Sequence, residues 1–200
     1  MTNLGVLISG RGSNLEALIN ASNKKEIPAK IAVVISDKSD AFGLERARKH
    51  NIEAVYINPD DFKGKDAYEQ GIVKTLKKHN VNLVCLAGYM RIAGKVLIDS
   101  YKSKIINIHP SLLPAFPGLN AQKQALEHGV KISGATVHFV DEGCDTGPII
   151  VQSAVPVLAG DTIEILSSRI LAEEHKLYPL AVKYFAEGKL KIEGRRVIIQ

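Results

Sequence analysis

Residues 105 to 111 read Ile-Ile-Asn-Ile-His-Pro-Ser. Side chains alternate along a strand, so Ile106 and Ile108 point one way while Asn107 and His109 point together to the other. A polar pair among apolar neighbours is costly unless it is hydrogen bonded or put to use. An Asn amide can donate to a developing oxyanion, and an imidazole with an ordinary pKa of about 6.5 can move a proton at neutral pH. The same pair also reads as a buried Asn and His satisfied by backbone groups. Downstream, Val140 to Pro148 forms an acidic, glycine-bearing loop after the segment that carries His138. A carboxylate of that loop returning beside His109 would orient the ring and hold it cationic, raising its pKa. His109, His138 and Asp145 formally offer two imidazoles and a carboxylate, but their spacing is unspecific and no metal is expected.

A second chemistry-bearing segment is Ile-Ser-Gly-Arg-Gly-Ser-Asn-Leu-Glu, residues 8 to 16. Gly10 and Gly12 permit a tight turn, and the free N–H groups opening the following helix make an anion site aided by the helix dipole. A dinucleotide fingerprint would need glycine at position 15, where Leu15 stands, and no P-loop lysine follows. One phosphate is the expected ligand. Ser13 and Glu16 also have the spacing of an ordinary capping box. Asp37, just past the second apolar run, reads as a ribose-binding carboxylate or as a surface turn.

These segments need a scaffold. Short apolar runs at 4–9, 31–36, 54–57, 83–87 and 105–108 alternate with segments of helical period at 14–21, 41–50 and 66–79. That alternation predicts a doubly wound α/β fold with a mostly parallel sheet, helices on both faces, and ligands beyond the strands' carboxyl ends. A Pro-rich loop follows Ile108. A helix near 121–128 and strands at 136–140 and 148–155 then bring the total to about seven strands. The last helix starts at Asp161 or Thr162, where Asp161 and Glu164 have capping-box spacing, and runs toward Gly188 with a kink or break at Pro179.

The 200 residues, with 46% hydrophobic and 24% charged side chains, exclude a disordered, collagen-like or small disulfide-stapled chain. No apolar run reaches the about 18 residues of a membrane span, so no membrane partner is expected. The chain enters a strand-like run without a basic segment ahead of it, the pattern of a cytoplasmic protein. Cys85 and Cys144 have no metal-type spacing and are expected as thiols. Twenty-six basic against 21 acidic residues give +5, scattered without an aromatic stripe, which favours small anionic ligands over nucleic acid. A single domain is expected, with a phosphate-binding half over roughly 1–100 and a catalytic half over roughly 101–200.

GRGSNLEAL, LAGYMRIAG, IINIHPSLLPAFPG, GATVHFVDEGCDTGPII and EEHKLYP together resemble the phosphoribosylglycinamide formyltransferase family across nearly the whole chain. The resemblance implies a formyltransferase-like fold and transfer of a formyl group from 10-formyltetrahydrofolate, as co-substrate, to the amine of glycinamide ribonucleotide in purine biosynthesis. By motif it places Gly12, Ser13 and Asn14 on the ribonucleotide phosphate. Met90, Arg91, Ile92 and Ala93 would line the folate pocket with Asn107 and Asp141, and Asn107, His109 and Asp145 would be catalytic. Lys65 falls where the family tends to place a cation near the folate, and Glu174 would reach the ribonucleotide. A monomer or homodimer without a metal is implied. Formyltetrahydrofolate deformylases share the central motif but transfer the formyl group to water. A non-catalytic nucleotide-binding module is the alternative of another class.

Overall fold

In a computed structural model describing residues 1–200, nine strands join in one sheet. They are β1 (Thr2–Ile8), β2 (Ala29–Ser36), β3 (Ala54–Tyr56), β4 (Leu83–Leu86), β5 (Ile105–His109), β6 (Ile132–Phe139), β7 (Ile149–Pro156), β8 (Leu190–Glu193) and β9 (Arg196–Ile199). Their spatial order is β3-β2-β1-β4-β5-β6-β7-β9-β8. The first five run parallel to one another, and β6 turns the sheet antiparallel against β5 and β7. The order reverses between β1 and β4, which opens a crevice beyond their carboxyl ends.

The helices are α1 (Ser13–Asn23), α2 (Phe42–Lys49), α3 (Lys65–Lys78), α4 (Lys95–Ser100), α5 (Ala121–Glu127) and α6 (Ile163–Ala186). Strand alternation sorts the apolar residues into two cores. Leu4, Val6, Ile8, Ile106 and Ile108 pack with α1, α2, α5 and α6 on one face. Leu7, Val33, Ile35, Val84 and Ile105 pack with α3 and α4 on the other. Asn107 and His109 share the face of Ile105, beyond the reach of α4. No helix is long and apolar enough to cross a membrane.

Several sequence expectations need correction. The sheet has nine strands rather than about seven, because the β8–β9 ribbon pairs past β7 through Ile149 and Arg196. Leu190, Ile192 and Val197 pack on the core while Ile198 and Ile199 stay exposed, and each strand is only four residues long, so the ribbon carries a short apolar signal at the edge of the sheet. Helix α4 also escaped notice, since no local residue caps it. The buried carboxylate of Glu69, on α3, accepts from the N–H groups of Gly94 and Leu97 instead. Thr162 caps α6 by accepting from Ile165 N, while Asp161 turns back to the Arg169 guanidinium at 2.6 and 2.9 Å. The helix continues through Pro179 without a break: Leu177, Tyr178, Ala181 and Val182 around it are buried against the sheet, outweighing the lost N–H bond.

Tyr178 is fully buried, and its hydroxyl donates to the carbonyls of Leu86 at 2.8 Å and Ile106 at 3.2 Å. It pins β4 to β5 one residue before Asn107. Tyr178→Phe should lower unfolding stability by about 1–3 kcal/mol in urea denaturation, the cost of leaving buried carbonyls short of a donor. An unchanged midpoint would mean the strand ladder alone satisfies both carbonyls.

Candidate active site

At the end of β5 four polar side chains meet. His109 is 4% exposed and its Nδ1 lies 3.2 Å from Asp145 Oδ2, while its Nε2 lies 2.8 Å from the Phe116 carbonyl. Asn107 Nδ2 donates toward Asp145 Oδ1 at 3.3 Å and toward His138 Nε2 at 3.2 Å. His138 sits opposite Asn107 in the β5–β6 register, and its Nδ1 faces the Phe139 carbonyl at 2.8 Å. A carbonyl can only accept, so Nδ1 donates to Phe139, while Nε2 lies between the Asn107 amide and Asp145 Oδ1, 3.5 Å away.

Asp145 is the hub. Its backbone lies in the left-handed region at φ 55°, which Asp tolerates better than most residues, and this turns the carboxylate back onto β5. Its Oδ2 also accepts from Gly118 N at 2.8 Å. Burial pushes the carboxyl pKa up, but His138, the Gly118 N–H and His109 outweigh it and hold the value at about 2. Asp145 is therefore an anion at neutral pH. For His109 the balance runs the other way: burial lowers its pKa below the usual imidazole range, against the upward pull of Asp145 and the Phe116 carbonyl. The expected upward shift is thus corrected to a downward one: the neutral ring, with one N–H, satisfies only one of its two acceptors, and the charged ring would satisfy both.

His109, His138 and Asp145 do come together, yet no group of three or more His, Cys, Asp or Glu side chains is arranged to hold a metal ion.

A cavity of about 530 Å³ opens over this cluster, a size ordinary for a drug-sized ligand. Asn107, His109 and Asp145 lie on its floor side, with Met90, Arg91, Ile92 and Ala93 beside them and Asp141 in the opposite loop. Asp141 is itself held by Thr146 Oγ1 at 2.6 Å and Gly143 N at 3.1 Å. Met90 and Ile92 are 64% and 63% exposed and put apolar surface on the rim beside the exposed Arg91 and Asn120. Lys65 is not in this cavity. It opens α3 and lines a neighbouring one of about 460 Å³, which shares Met90, Arg91 and Ile92.

Gly12, Ser13 and Asn14 stand apart from both cavities, at the start of α1. Gly12 is the cap residue at φ 69°, and a side chain there would strike the Gly43 backbone. The capping box is not formed: Ser13 begins the helix with no side-chain cap, and Glu16 turns to Arg46 at 3.0 Å and His50 at 3.2 Å. The Ser13 hydroxyl is left for another partner. Asn14 Nδ2 donates to Glu174 Oε2 at 2.7 Å, while Asn14 Oδ1 is buried without a partner. Burial raises the Glu174 pKa, with Asn14 opposing. Asp37 is no surface turn: it is 4% exposed and accepts from Ser9 Oγ at 2.6 Å.

The sequence alone does not bring out His138 as a partner of Asn107, or the Phe116 carbonyl and Gly118 N–H. Only the antiparallel register and the folding back of the Pro-rich loop bring them in. That loop is pinned by Thr136, whose Oγ1 donates to Ser111 O at 2.7 Å and accepts from Leu113 N at 3.1 Å.

Residues 2–182 match the formyl transferase family. The chain is 43% identical over 190 residues to the phosphoribosylglycinamide formyltransferase of Escherichia coli (strain K12), covering 95% of this chain and 90% of that one. It is 46% identical over 194 residues to the trifunctional purine biosynthetic protein adenosine-3 of Chironomus tentans, covering 96% of this chain but only 14% of that protein's length. Among solved structures, glycinamide ribonucleotide transformylase 1 from Symbiobacterium toebii is similar with a TM-score of 0.99 and 55% identity, over 100% of this chain and 94% of that one.

The opposed influences on His109 have a readable sign. In a histidine NMR titration His109 should titrate below about 6.5, because burial favours the neutral ring. Asp145→Asn should lower its pKa further by removing the stabilising charge. A value unmoved by the substitution would dissolve the pairing.

Proposed function

The chain belongs to the formyl transferase family, and from that premise we propose that it transfers the formyl group of 10-formyltetrahydrofolate to the amine of N1-(5-phosphoribosyl)glycinamide. The products are the N-formyl ribonucleotide and tetrahydrofolate, a step of purine (IMP) biosynthesis. The observation that carries the reading is the convergence of Asn107, His109 and Asp145 on one cavity that Met90 and Ile92 line with exposed apolar surface. In this reading the cavity takes the folate against Met90 to Ala93 and the Asp141 loop. Lys65, in the neighbouring cavity, meets the carboxylate end of the folate. The α1 turn, Gly12 to Asn14, takes the ribonucleotide phosphate on N–H groups at the positive end of the helix, with Glu174 beside it. No nucleic acid, metal or membrane takes part, and the reaction runs in the cytoplasm.

The chemistry follows from the protonation states. The amine attacks the formyl carbon and a C–N bond forms, leaving negative charge on the formyl oxygen. Asn107 donates to that oxyanion. Its present contacts, at 3.2 and 3.3 Å, are long enough to be exchanged for a shorter, charge-assisted one. His109, neutral at rest because it is buried, accepts the proton that the amine loses. The imidazolium so formed is stabilised by the Asp145 carboxylate. It then gives the proton to the departing folate nitrogen as the old C–N bond breaks, for which Nε2 exchanges the Phe116 carbonyl for substrate. Asp145 stays charged throughout, as its pKa of about 2 requires.

The test is the absorbance change of the folate as tetrahydrofolate forms, with and without the ribonucleotide. Product should form only with the ribonucleotide present, and Asn107→Ala should cut turnover by about 10²- to 10³-fold. Product without the ribonucleotide would point to hydrolysis, and none under either condition to a binding module.

A further inference from the structure

We propose that Ser9 and Asp37 form a bolt across the crevice between β1 and β4, joining the phosphate turn to the folate wall and coupling the occupancy of the two. The inference rests on the ligand reading above and adds two positioning residues to it. At this point of the sheet the chain leaving β1 enters Gly10 to Asn14 and the chain leaving β4 enters Met90 to Ala93. The backbone ladder between them ends with Ala87 N donating to Leu7 O at 2.9 Å and Ser9 N donating to Gly88 O at 3.0 Å. Side chains carry the link onward. Met90 N donates to Ser9 Oγ at 2.9 Å, and Ser9 Oγ donates its proton to Asp37 Oδ1 at 2.6 Å.

A hydroxyl has one proton, so a carboxylate on one side and an amide N–H on the other fix its orientation. The second carboxylate oxygen of Asp37 lies 3.9 Å from Arg91 Nη1, whose guanidinium stands 5.3 Å over the Tyr68 ring. Two consecutive residues of the folate wall, one by its backbone and one by its side chain, thus hang on one carboxylate. That carboxylate is almost wholly buried although its cationic partner is half-exposed and distant, a costly arrangement for a mere turn residue.

The far side of the phosphate turn is held too. Gly43 N donates to Gly10 O at 3.0 Å, and Arg46 Nε donates to Arg11 O at 2.9 Å. Clamped by α2, the turn moves as one piece with Ser9. A displacement of Met90 when folate binds is passed to Gly10 to Asn14, and by reciprocity the ribonucleotide changes the affinity for folate by the same factor.

Calorimetric titration of tetrahydrofolate, which has no formyl group to transfer, is made with and without saturating glycinamide ribonucleotide. In the wild type the two dissociation constants should differ by about five-fold or more. Ser9→Ala should bring their ratio close to one, while Asp37→Asn, which keeps an oxygen to accept from Ser9, should retain most of it. Should Ser9→Ala not fold, Ser9→Cys weakens the same bond and carries the same expectation. A ratio of one in the wild type, or a full ratio in the Ser9 variant, overturns the bolt. Failure of either ligand to bind the wild type overturns the functional reading beneath it, and the bolt with it.

Discussion

A carboxylate partly withdrawn from water at the edge of an apolar sheet needs its charge met from several sides, and Asp145, its side chain 13% exposed, has four partners. Its partners come from β5, from β6 and from the Pro-rich loop, segments far apart in sequence. An unpaired buried charge costs several kcal/mol, so displacing any of these elements is opposed by the whole cluster. Register of β5 against β6, the path of residues 110 to 118 and the αL turn at Asp145 are in this sense one constraint. In the proposed reaction that constraint supplies a carboxylate that stays charged and stabilises a brief imidazolium at His109.

The two halves of the site are built on different principles. The turn proposed for the phosphate is backbone-made, shaped by the Gly12–Gly43 approach and by donors at a helix start. The cluster on β5 is side-chain-made and depends on protonation. Positioning energy and proton transfer are thereby kept in separate places along the sheet, and a change in one need not disturb the other's charge state. Tyr178 belongs to neither half, yet its hydroxyl ties β4, which leads to Met90, to β5, which carries the cluster.

What was legible in the sequence is what local pattern controls. The apolar runs and their alternation place β1 to β7, and the Asn107/His109 pairing on one face follows from strand geometry alone. The proximity of Asp145 followed from a loop obliged to return. Features set by distant residues were not legible. Glu69 caps α4 from another helix, Asp37 is buried by the wall that leaves β4, and Glu16 abandons the cap for Arg46 and His50. The sign of the His109 shift is illegible for a related reason: a neighbouring carboxylate can be inferred from sequence, but the depth of burial that outweighs it cannot.

The central claim is that Asn107, His109 and Asp145 act as one unit, and a double-mutant cycle in turnover tests it most directly. Asn107→Ala, Asp145→Asn and the double variant are compared in the ribonucleotide-dependent reaction. If Asp145 works by holding both the amide and the imidazole, the double variant should be little slower than the slower single one, as for residues of one catalytic assembly. Losses that simply multiply would contradict the account, leaving two independent residues that happen to share a cavity.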